Sequence, residues 1–106
     1  YPIDLLKFMQ INDPSPADVK AWLVQLLTAV AYVHGQGVVH NDVTPVNVLV
    51  DRTHLAPWPP RLTLTDFGLA KALGPGAVGA AGAQDVWGVG AVTMYMGTGK
   101  TQERLL

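Results

Sequence analysis

The chain has 106 residues, 49% of them hydrophobic, with seven basic and eight acidic residues, a formal charge of −1 and no cysteine. That length allows at most one domain, and the apolar fraction is high enough for a packed core rather than a disordered segment. The basic residues are scattered along the chain, which excludes the basic stripe of a nucleic-acid-binding surface, and the lack of cysteine excludes disulfides and thiolate metal sites.

The chain opens at Tyr1 rather than Met and shows no signal peptide, so an upstream segment is expected. Residues 3–9 read as a short helix, closed by a turn at Asn12-Asp13-Pro14. A long helix is predicted over 16–34. Ser15 caps it, Pro16 suits its first position, and Asp18 completes a carboxylate version of the capping box. Val19, Trp22, Leu23, Leu26, Leu27, Val30 and Val33 then recur at three- and four-residue spacing as one broad apolar stripe. Gly35 and Gly37 end the helix.

Val38-Val39 begins a short extended piece, and Val46–Val50 is a second, rich in β-branched residues. Pro57, Pro59 and Pro60 mark residues 51–61 as a loop, and the alternation of Leu62–Thr65 predicts a half-buried strand. Residues 74–83, mostly glycine and alanine, read as a flexible loop. The helix predicted over 85–96 is apolar on nearly every face, which implies full burial despite Gly88 and Gly90; Gly97 and Gly99 would end it. Neither Trp22–Val33 nor Val86–Met96 reaches the roughly twenty residues of a bilayer span. Trp22 and Trp87 are expected in the core, and Trp58, between prolines, at the surface.

Two segments carry chemistry. His40-Asn41-Asp42-Val43-Thr44-Pro45-Val46-Asn47 precedes an apolar run, and Asp66-Phe67-Gly68 follows the Leu62–Thr65 strand. A hairpin from Val48–Val50 to Leu62–Thr65 would bring Asn47 and Asp66 to one end of two adjacent strands, with Asp42 nearby. Such oxygen-bearing side chains suit a hard cation such as Mg²⁺, which prefers oxygen ligands and phosphate.

His-x-Asp-x-x-x-x-Asn, an apolar strand and Asp-Phe-Gly, in this order, resemble the catalytic and metal loops of protein kinases. Leu69-Ala70-Lys71 matches the usual continuation of the second motif. Residues 4–7 resemble the short helix after the hinge of that family, 16–34 its long helix before the catalytic loop, and Asp85-Val86-Trp87-x-x-Gly90 the start of its buried central helix. The resemblance covers nearly the whole chain. It implies a mostly helical α+β fold, part of the C-terminal lobe of a protein kinase with helices around a small β-hairpin, and Mg²⁺- and ATP-dependent transfer of phosphate to serine or threonine hydroxyls of a protein substrate. It implies that Asp42 accepts the proton of the acceptor hydroxyl, that Asn47 and Asp66 hold Mg²⁺, and that Leu49 forms a floor beneath the adenine. By the same resemblance His40 and Phe67 are a buried pair stacking one loop on the other, Asp85 accepts hydrogen bonds from the catalytic-loop backbone, and the protein is intracellular.

The departures are specific. Asn41 stands where the family has an arginine that clamps a phosphorylated activation loop, so that switch is not expected. Thr44 replaces a lysine that contacts the transferred phosphate, removing a positive charge. Residues 69–84 are shorter than the family's activation segment, and neither a glycine-rich phosphate strand nor a nucleotide-anchoring lysine occurs in these 106 residues. The segment alone is therefore expected to need the N-terminal lobe as partner and not to transfer phosphate by itself. Two alternatives remain open: a small-molecule phosphotransferase of the choline-kinase or aminoglycoside-phosphotransferase kind, and a degenerate pseudokinase acting as a binding module. Gly74-Pro75-Gly76-Ala77-Val78-Gly79 mimics a dinucleotide-binding fingerprint but lacks the strand before it and the acidic partner after it. Gly99-Lys100-Thr101 mimics the end of a phosphate-binding loop, but Met94 occupies the place of its first glycine.

Overall fold

A computed structural model of the chain describes residues 3–51 and 59–98. Trp58, Pro57 and the Gly99-Lys100-Thr101 sequence lie outside them. Strand β1 (Ile3–Asp4) leads into helix α1 (Leu5–Ile11), and helix α2 (Pro16–Gly35) follows. Strands β2 (Val38–Val39), β3 (Val48–Val50), β4 (Leu62–Leu64) and β5 (Lys71–Ala72) then precede helix α3 (Ala83–Thr98). The strands form two small antiparallel sheets, ordered β1-β3-β4 and β2-β5. The result is a mixed α/β fold dominated by three helices.

Helix α2 forms as its sequence dictates. The Ser15 hydroxyl accepts the Asp18 N–H at 3.1 Å, the Asp18 carboxylate accepts the Ser15 N–H at 3.0 Å, and Pro16 starts the helix. Of the apolar stripe, Trp22, Leu26 and Val30 are buried and Val19 and Leu23 pack against them, whereas Leu27 is exposed. The Trp22 indole N–H donates to the Pro60 carbonyl at 2.7 Å, and the Leu62 N–H donates to Gln25 at 2.7 Å. The helix thereby docks the outer end of β4 with its polar atoms as well as its apolar ones.

Strand β3 sits at the centre of the larger sheet. It pairs with β1 through Ile3↔Val50 and Asp4↔Leu49, and with β4 through Val48↔Leu64, Leu49↔Thr63 and Val50↔Leu62. Val48 and Val50 point into a core shared with Leu5, Phe8, Trp22, Leu26, Val89 and Val92, and the Phe8 and Trp22 rings meet edge to face at 5.7 Å. By strand alternation Leu49 lies on the opposite face, half-buried.

Five expectations change. Ile3 and Asp4 are strand rather than helix, because the Asp4 carboxylate caps α1 by accepting the Lys7 N–H at 2.8 Å and so fixes the helix start at Leu5. Val46 belongs to a 3₁₀ turn over Pro45–Asn47, which Pro45 initiates, and β3 begins only at Val48. Strand β4 ends at Leu64, before Thr65. The glycine-rich loop expected over 74–83 extends only to Val78, because a 3₁₀ turn over Gly79–Gly82 runs into α3, and β5 just before it pairs with β2. Finally, α3 spans 83–98, and only one face is buried, through Asp85, Gly88, Val89, Val92, Tyr95 and Met96. Val86, Met94 and Trp87 face outward, Trp87 being 62% exposed instead of in the core. Among the described residues no helix is long and apolar enough to cross a membrane.

Candidate active site: one carboxylate ties a loop to a helix

The catalytic-loop candidate runs from β2 to the 3₁₀ turn before β3, and its backbone is pinned by Asp85 at the start of α3. The buried Asp85 carboxylate accepts the His40 N–H at 2.8 Å through Oδ2 and the Asn41 N–H at 2.7 Å through Oδ1. His34, near the end of α2, adds a third bond from Nε2 to Oδ2 at 2.8 Å. Burial alone would raise the Asp85 carboxyl, but the His34 bond and the two backbone N–H groups outweigh it and hold the group below its ordinary value. Residue spacing alone gave no indication of the His34 contact, since it joins side chains 51 positions apart.

His40 is fully buried and fixes the next residue along. Its Nδ1 accepts the Asp42 N–H at 3.0 Å and its Nε2 lies 2.8 Å from the Thr65 carbonyl. A carbonyl only accepts, so the ring hydrogen sits on Nε2. The imidazole thus spans from the catalytic loop to the strand leading into Asp66. Phe67 meets it edge to face at 4.6 Å, but Phe67 is 44% exposed, so the expected buried pair is buried on the histidine side alone.

Asp42 and Asn47 come together directly. The Asn47 side-chain amide donates to the Asp42 carboxylate at 2.8 Å and to the Asp42 carbonyl at 2.9 Å. With its nitrogen committed, Asn47 is left with its amide oxygen as the atom for a cation, and Asp42 keeps one carboxylate oxygen beyond the bond to Asn47. The Thr65 N–H donates to the Asn47 carbonyl at 2.9 Å, extending the β3–β4 register by one pair and setting Asp66 one residue beyond it. Asp66 is exposed and left-handed, with φ 59°, and its carboxylate accepts the Gly68 N–H at 3.3 Å. Asn41, at φ 69°, is the other non-glycine residue described with positive φ. Both strained residues flank the site, and asparagine and aspartate tolerate this region better than other side chains.

The donor set fits a hard cation: one amide oxygen and one exposed carboxylate at the ends of adjacent strands, with a second carboxylate beside them. Among the described residues no group of three or more His, Asp or Glu side chains converges as a self-sufficient metal cage. An ion here would therefore share its ligands with phosphate and water. Thr44 does not replace the missing lysine as an exposed group, since its hydroxyl is buried without a hydrogen-bond partner among the described residues.

Helix α3 approaches this loop closely because of one residue. A Cβ on Gly88 would lie 2.8 Å from both the Cβ and the carbonyl oxygen of Val43, so only glycine lets the helix rest on the loop. A family model of the protein kinase domain matches residues 4–82, well over half of the chain. The match runs from the N-cap of α1 through both candidate loops to the turn before α3. The chain belongs to the protein kinase domain family.

Proposed function

We propose that this chain is part of the C-terminal, catalytic lobe of a protein kinase, from the helix after the hinge to the central helix α3, and that it serves Mg²⁺- and ATP-dependent phosphoryl transfer to protein serine or threonine hydroxyls. The observation that carries this reading is the Asp42–Asn47 pair, joined at 2.8 Å and registered against the strand that leads to Asp66. In this reading Asp42, oriented through Asn47 and through its own N–H on His40, accepts the proton of the acceptor hydroxyl. Asn47, through its amide oxygen, and Asp66, through its carboxylate, hold the cation, and Leu49 lies under the adenine. Mg²⁺ bound with ATP would supply charge neutralisation on the phosphates. The remaining binding groups for nucleotide belong to an N-terminal lobe, and an intracellular location follows from the supply of ATP.

In the protein carrying this chain, Asp42→Asn is expected to lower kcat on serine- and threonine-containing peptides by roughly 10²–10⁴-fold with little change in nucleotide affinity. Mn²⁺ titrated with ADP is expected to broaden NMR signals of residues 42–47 and 66–68 first. Broadening centred on Asp13 and Asp18, or full activity in the Asp42→Asn protein, overturns the reading.

One observation favours a second reading, a pseudokinase that binds without transferring. Thr44 stands in place of a phosphate-contacting lysine, and its hydroxyl is buried. Nucleotide binding with no turnover on any peptide, unaffected by Asp42→Asn, would select it. Turnover on amino sugars or choline in place of peptides would select a small-molecule phosphotransferase.

A further inference from the structure

Asn41 has contacts on three sides. Its N–H donates to Asp85 at 2.7 Å, its carbonyl accepts the Gln84 side chain at 3.3 Å, and its side-chain Nδ2 donates to the Leu69 carbonyl at 3.3 Å. The last contact joins the catalytic loop to the segment leaving Asp66-Phe67-Gly68, across 28 residues of sequence. Leu69 is otherwise exposed, and the turn holding it rests on two local bonds, Ala70 N–H to the Phe67 carbonyl at 3.0 Å and Gly68 N–H to the Asp66 carboxylate at 3.3 Å. Downstream, β5 pairs with β2 through Lys71↔Val39 and Ala72↔Val38, and the Gly37 carbonyl accepts both the Leu73 and Gly74 N–H groups. The metal-loop candidate is thus fixed upstream by β4 and downstream by β5, and Asn41 reaches the stretch between. Residues 66–92 contain no serine, threonine or tyrosine, so no tie made within that stretch uses a phosphorylated hydroxyl.

We propose that Asn41 is a positioning residue: its side-chain amide latches the Leu69 carbonyl to the catalytic loop and keeps Asp66 in register with Asp42 without any covalent modification. The left-handed backbone at φ 69° is what turns the amide toward Leu69 while the N–H stays on Asp85. This rests on the reading of Asp42 and Asp66 as one working site, but the latch itself is a property of the protein without ligand and is measured there.

The test is amide hydrogen exchange in the unliganded protein. Asn41→Gly keeps the positive φ and loses the amide, and Asn41→Asp keeps the shape but replaces the donor with an acceptor. Both variants are expected to exchange roughly two- to tenfold faster at Gly68 and Ala70, the effect of one net hydrogen bond. Thr65, Leu62 and the α2 amides should stay within the change seen for the whole protein. Unchanged exchange at Gly68 and Ala70 overturns the latch, as does acceleration spread equally over α2 and β3, which would make Asn41 a general fold residue. A second readout is the Mn²⁺–ADP titration of Asn41→Gly. Broadening near Asn47 is expected to persist while broadening at 66–68 weakens, and equal weakening at both overturns the positioning role. Failure of Mn²⁺ to broaden either segment in the unmodified protein would count against the kinase reading of the site and would leave the exchange result to decide the latch.

Discussion

Three hydrogen bonds converge on the buried Asp85 carboxylate, two of them from the backbone of the catalytic-loop candidate, so this side chain pins that loop at its start. Asp85→Asn removes the charge and leaves one of its donors facing an amide N–H₂; it is expected to lower the unfolding free energy by about 3 kcal/mol, measured by urea denaturation. The pH dependence has a definite sign. Asp85 titrates below its ordinary value of 3.8 when folded, so its contribution is complete above that value and is lost as pH falls through the lower folded value. The denaturation midpoint should hold above the ordinary value of 3.8 and drop as pH falls below it, and Asp85→Asn should flatten that drop. Thr44 is the opposite case. An unpartnered buried hydroxyl costs stability, so Thr44→Val, with nearly the same shape, is expected to gain about 1 kcal/mol, or roughly 5 °C in Tm for a chain of this size. A fall in Tm would reveal a bond that the hydroxyl makes. At this scale the sequence was partly legible. Asp42, Asn47 and Asp66 could be named from their order along the chain, but the bond from His34 and the latch from Asn41 join distant segments that no local pattern connects.

Among the elements, α3 carries two glycines with opposite roles. Gly88 faces Val43, where a methyl group would meet a backbone carbonyl at 2.8 Å, whereas Gly90 has nothing within 4 Å of its missing Cβ. Gly88→Ala is therefore expected to lose about 1–3 kcal/mol, and Gly90→Ala to gain about 0.5–1 kcal/mol through helix propensity. Urea midpoints moving in opposite directions would bear this out; a gain from both would show that α3 does not rest on the loop. Helix α2 was legible because its capping box and stripe are local signals. Strand β5 was not: Lys71 and Ala72 carry no β-branched side chain, and their pairing depends on Gly37. That glycine, at φ +78°, lies so close to Gly74 that a Cβ would strike its carbonyl. The outward face of α3 was misjudged for a related reason, since a helix apolar on every side does not disclose which side is covered.

For the molecule as a whole, burial is uneven. The core gathers α1, the inner faces of α2 and α3 and the larger sheet, while Val86, Trp87 and Met94 of α3 and Val24 and Tyr32 of α2 remain exposed. Trp22 and Trp87 should therefore report separately. Trp87→Phe is expected to remove a red-shifted, acrylamide-quenchable part of the tryptophan fluorescence, and Trp22→Phe a blue-shifted, protected part. Similar quenching of both would contradict the burial described. The 106-residue polypeptide is also expected to bind a hydrophobic dye through the outer face of α3, and substitution of Val86, Trp87 and Met94 by polar residues should weaken that binding.

The position of Asp85 also sets an order in time. Its partners on the catalytic loop precede it by 44 and 45 residues, so during synthesis the loop emerges well before the carboxylate that fixes it. A ribosome adding about 5–20 residues per second needs roughly 2–9 s to cover that interval. Helix α2 and the β3–β4 pairing, built from nearer contacts, can form in the meantime. In that interval the N–H groups of His40 and Asn41 are left to water, and the nascent chain holds a hairpin and a helix but no fixed loop between them. Only translation of α3 closes it.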